Sequence, residues 1–203
     1  MNSIYKSIAL LSLAFSLVVS GPVSAQSKRT SLKPPVVVIL DTRAIQRNST
    51  AGKSLQVFIK TRRKLHKSRI AAEEKLLRTA WQELTRQRSI LAPQAFQQRE
   101  RAFRTKETAA KRKVAALEQA LNYELRVTLA AVSKIVDQKM RPILDKIVKA
   151  KGIDIIMMKQ GLVHAGVNYN ITTEVLKELN KKLPKLDVEA VSKKAKNKNK
   201  NKK

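Results

Sequence analysis

The sequence predicts an α+β fold: a long antiparallel α-helical hairpin arm projecting from a small β-strand body. Three observations carry that expectation. No glycine occurs between Gly52 and Gly152, and the span is rich in charged helix formers. Pro93 interrupts it near its middle, where proline disfavours helix for the residue before it and so marks a turn between two limbs. Short apolar runs bracket the span, residues 36–40 before it and 153–158 after it, with the composition of strands.

The chain opens with one basic residue, Lys6, an uncharged apolar run over 8–19 and the small-residue ending Ser24-Ala25. That order is a secretory signal peptide over 1–25, cleaved after Ala25. An apolar run of about a dozen residues falls short of the roughly twenty that span a bilayer. The expected product is a soluble, exported protein. Residues 26–35 are polar and basic and end in Pro34-Pro35, an extended leader.

The run 36–40 is β-branched without alternation, which suits a strand covered on both faces. Residues 41–48 form a polar link, and Asn48-Ser49-Thr50 supply cap-type side chains before the first long helix. The body is expected over 36–50 and 151–186, the hairpin over 51–150, and its tip near 89–95. On the first limb Leu55, Phe58, Ile59, Leu65, Leu76, Leu77, Trp81, Leu84 and Leu91 recur at mostly helical spacing, diluted by Arg62, Arg63, Lys67 and Arg69. On the second, Ala110, Val114, Leu117, Leu121, Leu125, Leu129 and Val132 step by threes and fours, close to a coiled-coil repeat, with the first limb as the natural antiparallel partner. Limbs of about forty residues or more give an arm of roughly 60 Å. The apolar seam is dense near the base and thin over 60–113, so the outer half is expected to be softer. Pro142 removes one helical hydrogen bond and is expected to bend the helix near the base.

After Gly152, residues 153–158 read as a strand, Lys159-Gln160-Gly161 as a turn and 162–167 as an antiparallel return strand. Thr172 with Glu174 caps a final short helix that Pro184 ends. Residues 187–203, rich in lysine and asparagine, are expected to be disordered.

Composition narrows the chemistry. The net charge is +28 and there is no cysteine, so anionic or acidic partners are favoured and disulfides and thiolate metal sites are excluded. Aromatic residues are 4% of the chain, too few for a large core, and a small exported domain with a poor core commonly shares one between copies. Catalysis has little support. Neither His66 in the basic limb nor His164 in the return strand lies beside an acidic or nucleophilic cluster in sequence, and both read as surface or interface residues. Gly52-Lys53-Ser54 resembles the end of a phosphate-binding loop but lacks its first glycine, the position being Arg47. The chain is expected to be no enzyme and to need no cofactor and no metal.

The carboxy-terminal stretch GIDIIMMKQGLVHAGVNYNITTEVLKELNKKLP carries Asp154, Tyr169, Ile171, Thr172, Val175, Leu176, Lys177, Leu179 and Asn180. With the signal peptide, first strand and charged hairpin, it resembles the Skp/OmpH family of periplasmic chaperones. Asn170 stands where that family often has an acidic residue, and asparagine can cap as well. The resemblance covers about 36–183; the lysine tail and proline leader are outside it. It implies a homotrimer whose strands build a shared β-barrel, with Val36, Val38, Ile39, Leu40, Ile153, Ile155, Ile156, Met157, Val163 and Val167 as trimerisation residues. Three coiled-coil arms would hold unfolded outer-membrane proteins without ATP in the periplasm. The apolar client contacts expected on the arm are Leu76, Leu77, Trp81, Leu84, Ile90, Leu91, Phe96 and Phe103. Seam packing is favoured for Trp81, Phe96 and Phe103, and client contact is the other reading. The basic contacts are Arg62, Arg63, Arg86, Arg88, Arg99, Arg101, Arg104, Lys111 and Arg112. Anionic lipid, lipopolysaccharide and, nonspecifically in vitro, nucleic acid are further partners. Two rivals are an exported histone-like polyanion binder, supported by the basic tail, and a coiled-coil scaffold linking the envelope to anionic polymers.

Overall fold

Two residues at the start of the body decide where strand gives way to helix. Strand β1 (Val37–Leu40) ends at Asp41, whose Oδ1 accepts the Ala44 N–H at 2.8 Å and caps helix α1 (Thr42–Asn48). Ser49 then ends α1 and caps helix α2 (Thr50–Gln87), its Oγ accepting the Gly52 N–H at 3.1 Å. The polar link at 41–48 is therefore a two-turn helix, held because an aspartate cap satisfies its first amides and Ile45 is fully buried. The computed structural model describes residues 33–200. The expected signal peptide, most of the expected leader and residues 201–203 lie outside the described residues.

Helix α3 (Pro93–Lys151) follows a short turn, with Pro93 in its first turn, where the missing N–H costs no helical bond. It runs through Pro142 without ending and stops at Gly152, which takes the left-handed conformation at φ 60°. That C-cap is where glycine is favoured. Strand β2 (Ile155–Met158) pairs in parallel with β1, Val37 opposite Ile155 and Leu40 opposite Met158. The two helices of the hairpin thus form the crossover between parallel strands.

The expected antiparallel return strand at 162–167 is absent. Single 3-10 turns occupy Lys159–Gly161 and Val167–Tyr169, and between them the backbone is irregular. One edge of β1 is taken by β2 and the other by a bridge from Ile39 to Asn170. A strand at 162–167 would raise Val163 and Val167 over a face that nothing in one chain covers, and both are fully or mostly exposed.

Helix α4 (Thr172–Lys182) closes the body, and the motif that singled it out acquires a physical meaning. Ile171, Val175 and Leu179 are buried in the core. Thr172 Oγ1 accepts the Asp41 N–H at 2.8 Å, and Asn180 Oδ1 accepts the Thr50 N–H at 2.9 Å. One helix therefore supplies oxygens to the starts of both α1 and α2. The expected cap by Thr172 is corrected: the Thr172 N–H donates to Asn170 Oδ1 at 2.9 Å, so Asn170 is the local capping side chain and Thr172 serves α1 instead. Asp154 has a comparable task. Its Oδ2 accepts the Val36 N–H at 2.7 Å and clips β1 to the beginning of β2.

The tail expected to be disordered forms helix α5 (Val188–Lys200). Lysine and asparagine dominate its exposed side, but Val188 and Ser192 are buried and Val191 packs against the core. Apolar or small residues one helical turn apart, capped by Asp187 through the Ala190 N–H, give the segment a face that composition alone conceals.

The core lies in the body and the adjoining third of the hairpin. Val38, Leu40, Ile45, Leu55, Phe58, Val132, Val136, Ile143, Ile147, Val175 and Leu179 form one cluster. Each such side chain contributes about 1.5–3 kcal/mol when fully buried.

Candidate functional site

Beyond this cluster the two long helices continue as a pair with few apolar contacts. Leu84 is buried between them, and the Trp81 and Phe103 rings meet at 5.3 Å between centroids, tilted by 49°. That geometry is favourable for aromatic pairs. Trp81 is nevertheless 55% exposed, so the same ring has a seam face and a solvent face. Leu77, Leu91, Phe96 and Phe103 are half-buried, while Leu76 and Ile90 project into solvent. Of the eight apolar residues expected to touch a client, Leu84 alone is withdrawn into the seam. A salt bridge from Lys113 to Glu73 ties α3 to α2 in this region.

The expected cations divide in the same way. Arg63, Arg86, Arg88, Arg99, Arg101 and Arg112 are exposed. Arg104 and Lys111 each pair with a glutamate one turn earlier, Glu100 and Glu107, at 2.7 Å. Such exposed pairs are worth at most about 1 kcal/mol and open readily. Arg62 departs from the rest. It lies over the Phe58 ring at 4.9 Å and bonds to Glu189 of α5, so it belongs to the packing of the hairpin.

The arrangement around Arg62 was not foreseen from the sequence. Glu124 on α3 accepts Lys196 Nζ of α5 at 2.8 Å and faces Arg62 Nε of α2 at 3.5 Å. Thr128 Oγ1 and Ser192 Oγ meet at 2.8 Å in a buried contact beside it. Three helices are therefore tied at one charged and hydroxyl-bearing node. The only sequence signal was the occurrence of serine and valine within a lysine-rich tail.

At the body, Val38, Ile39, Leu40 and Ile153 are buried within the single chain, and Ile156 is half-buried. Val36, Ile155, Met157, Met158, Val163, Val167 and Tyr169 are exposed large apolar residues from one short region. The residues expected to join copies thus separate into a set that the chain itself buries and a set that it leaves open. His164 is exposed and belongs to the same loop; His66 is half-buried on α2.

Gly52 is explained by packing. A methyl group there would overlap the carbonyl of Gln46, so the close approach of α1 and α2 requires glycine. Nearby, the Ala44 N–H holds the Asp41 carboxyl below the ordinary aspartate value, assisted by the charge of Lys159 at 3.6 Å. Among the described residues no group of His, Asp and Glu is placed to hold a metal ion, and no helix is long and apolar enough to cross a membrane.

The family model for outer membrane protein (OmpH-like) matches residues 36–179, well over half of the chain. Among solved structures, that of a candidate outer membrane chaperone (OmpH-like) from Caulobacter crescentus CB15 shares the fold, with a TM-score of 0.64 and 19% identity. The match covers 76% of this chain and 89% of that one. No curated protein matches significantly. The family match ends within α4, so α5, which brings Ser192, Lys196 and Glu189 to the node with Arg62 and Glu124, lies beyond it.

Proposed function

The chain belongs to the OmpH-like outer membrane protein family, and from that premise we propose that it is a periplasmic, ATP-independent holding chaperone for unfolded outer-membrane proteins. Family membership and the fold shared with a candidate outer membrane chaperone support a chaperone-type role. The observation that carries the finer reading is the outer hairpin: many unpaired cations interspersed with isolated, partly exposed apolar residues. Positive potential recruits an acidic precursor over distance. Leu76, Leu77, Trp81, Ile90, Leu91, Phe96 and Phe103 then offer weak contacts, and several weak contacts on one chain sum to tight capture. No single pocket of high affinity is needed, and release requires only that contacts be lost one at a time.

Holding requires walls on more than one side, which a homotrimer would supply. The exposed cluster of Ile155, Met157, Met158, Val163 and Val167 supports shared assembly of the body, because uncovered apolar groups of this size mark interfaces. Ile155→Asp should abolish assembly in sedimentation; an unchanged oligomer would remove the shared body from the reading.

The deciding experiment dilutes a urea-unfolded outer-membrane protein into buffer of low ionic strength with the mature chain present. Suppressed aggregation is expected, declining as salt rises. Aggregation equal to that without the protein would defeat the proposal. Polyanion binding, to nucleic acid, anionic lipid or lipopolysaccharide, is the second reading, favoured by the exposed Lys193, Lys194 and Lys198 of α5. Removal of residues 186–203 should abolish function if that reading holds and spare holding activity if it does not.

A further inference from the structure

The seam between α2, α3 and α5 opens into a cavity of about 630 Å³, within the size range of small-ligand sites. Its floor is apolar, formed by Leu117, Leu121 and the Tyr123 ring, and its lining also includes Arg69 and His66 from α2 and Lys193 from α5. Glu124, the one acid in the lining, is already engaged by Lys196 and Arg62. Arg69 and Lys193 have no ion-pair partner among the described residues. Arg62 Nε is buried at the cavity wall and is met only by the Glu124 carboxylate, at a long 3.5 Å.

We propose that this cavity is a binding site for a single-chain amphiphilic anion, a carboxylate or phosphate head carrying one acyl chain. The head group meets the surplus cations, Arg69 and Lys193, and the chain covers Leu117, Leu121 and Tyr123. The lining also decides against a peptide. Every wall is a helix, whose backbone groups are bonded internally, so an extended peptide lying there would leave its amides without partners, whereas an acyl chain has none to satisfy. The site exists only with α5 in place, since α5 supplies Lys193 and closes one wall. It is independent of the holding activity proposed above.

Calorimetric titration of the full chain tests this with sodium decanoate and decyl phosphate below their micelle-forming concentrations, alongside neutral decyl maltoside, inorganic phosphate and an acidic hexapeptide. Saturable binding of one anionic amphiphile per chain is expected, and the tighter of the two anions identifies the head group as carboxylate or phosphate. Lys193→Gln should weaken it severalfold, and Arg69→Glu combined with Lys193→Glu at least about tenfold, the loss of one charge-assisted contact. Lys134→Gln, on an exposed part of α3, should have no effect and controls for general charge. Equal binding of decyl maltoside would mean that the cations recognise nothing, and equal binding of inorganic phosphate would mean that the floor does not. Tighter binding of the hexapeptide, or indifference to both variants while circular dichroism reports intact helices, would likewise overturn the proposal. Loss of amphiphile binding with holding activity retained separates this site from the chaperone reading.

Discussion

Replacing Glu124 by glutamine tests whether α5 is fastened by charge or merely rests on the hairpin. The glutamate side chain is 16% exposed and takes the Lys196 ammonium at 2.8 Å and Arg62 Nε at 3.5 Å. Exposed pairs contribute about 0–1 kcal/mol and breaking a fully buried one costs about 3–5 kcal/mol; the exposure here places the loss near 2 kcal/mol. Glutamine keeps the shape and can still accept from Ser192, so the change isolates the charge. A loss of about 2 kcal/mol in the docking of α5 raises its open population roughly 30-fold. Amide exchange reads that population directly, since local opening governs protection. The α5 amides should exchange roughly 30-fold faster, while those of α4 and of the base of α3 keep their rates. Adding Lys196→Gln to the first change should then cost little more, because the partner is already gone. Exchange in α5 within about twofold of the parent would refute the charged node and leave the burial of Val188 and Ser192 as the whole attachment.

Gly52→Ala should destabilise the protein by about 1–3 kcal/mol in urea unfolding, the cost of forcing a methyl group against the Gln46 carbonyl; a gain in stability, the usual result within a helix, would show that α1 and α2 can part. Phe103→Ala removes the partner of Trp81, the one tryptophan, and should shift its emission to the red with a local cost of about 0.5–1.5 kcal/mol and little change in the global midpoint. Asp41→Asn keeps a capping oxygen but removes the charge. Because the folded carboxyl titrates below its ordinary value, its contribution is present above about pH 4 and is lost as pH falls through the depressed value. The stability gap between parent and variant should therefore shrink on acidification below pH ~4, and a gap independent of pH would assign it to shape alone.

Local rules were enough for much of the architecture. Pro93 and the glycine-free span located the two limbs and their turn, and Ser49 and Gly152 marked where the first limb starts and the second stops, because caps and breakers act on residues within one turn. The exposure of most cationic residues of the outer hairpin was also legible, since on an exposed helix nothing competes with composition. Arg62 was the exception, and the reason lies in its partners, Glu124 and Glu189, 62 and 127 positions away. Val38 and Ile155 look alike as β-branched strand residues, yet one is buried by its own chain and the other exposed.

Sequence by itself determined the two long helical segments and the turn between them, the two segments that pair as strands, the charge and the family motif in α4. Tertiary structure decided the parallel pairing of β1 with β2, the missing return strand, the capping of α1 and α2 by Thr172 and Asn180, and the ordering of α5. Each of these depends on which surface arrives opposite a segment. Val163 has strand propensity without a face to cover it, whereas the lysine-rich tail has little propensity for a core but finds Thr128 and Glu124 in reach of Ser192 and Lys196. Periodicity along the chain records what a segment can bury, and only the folded partner settles whether it does.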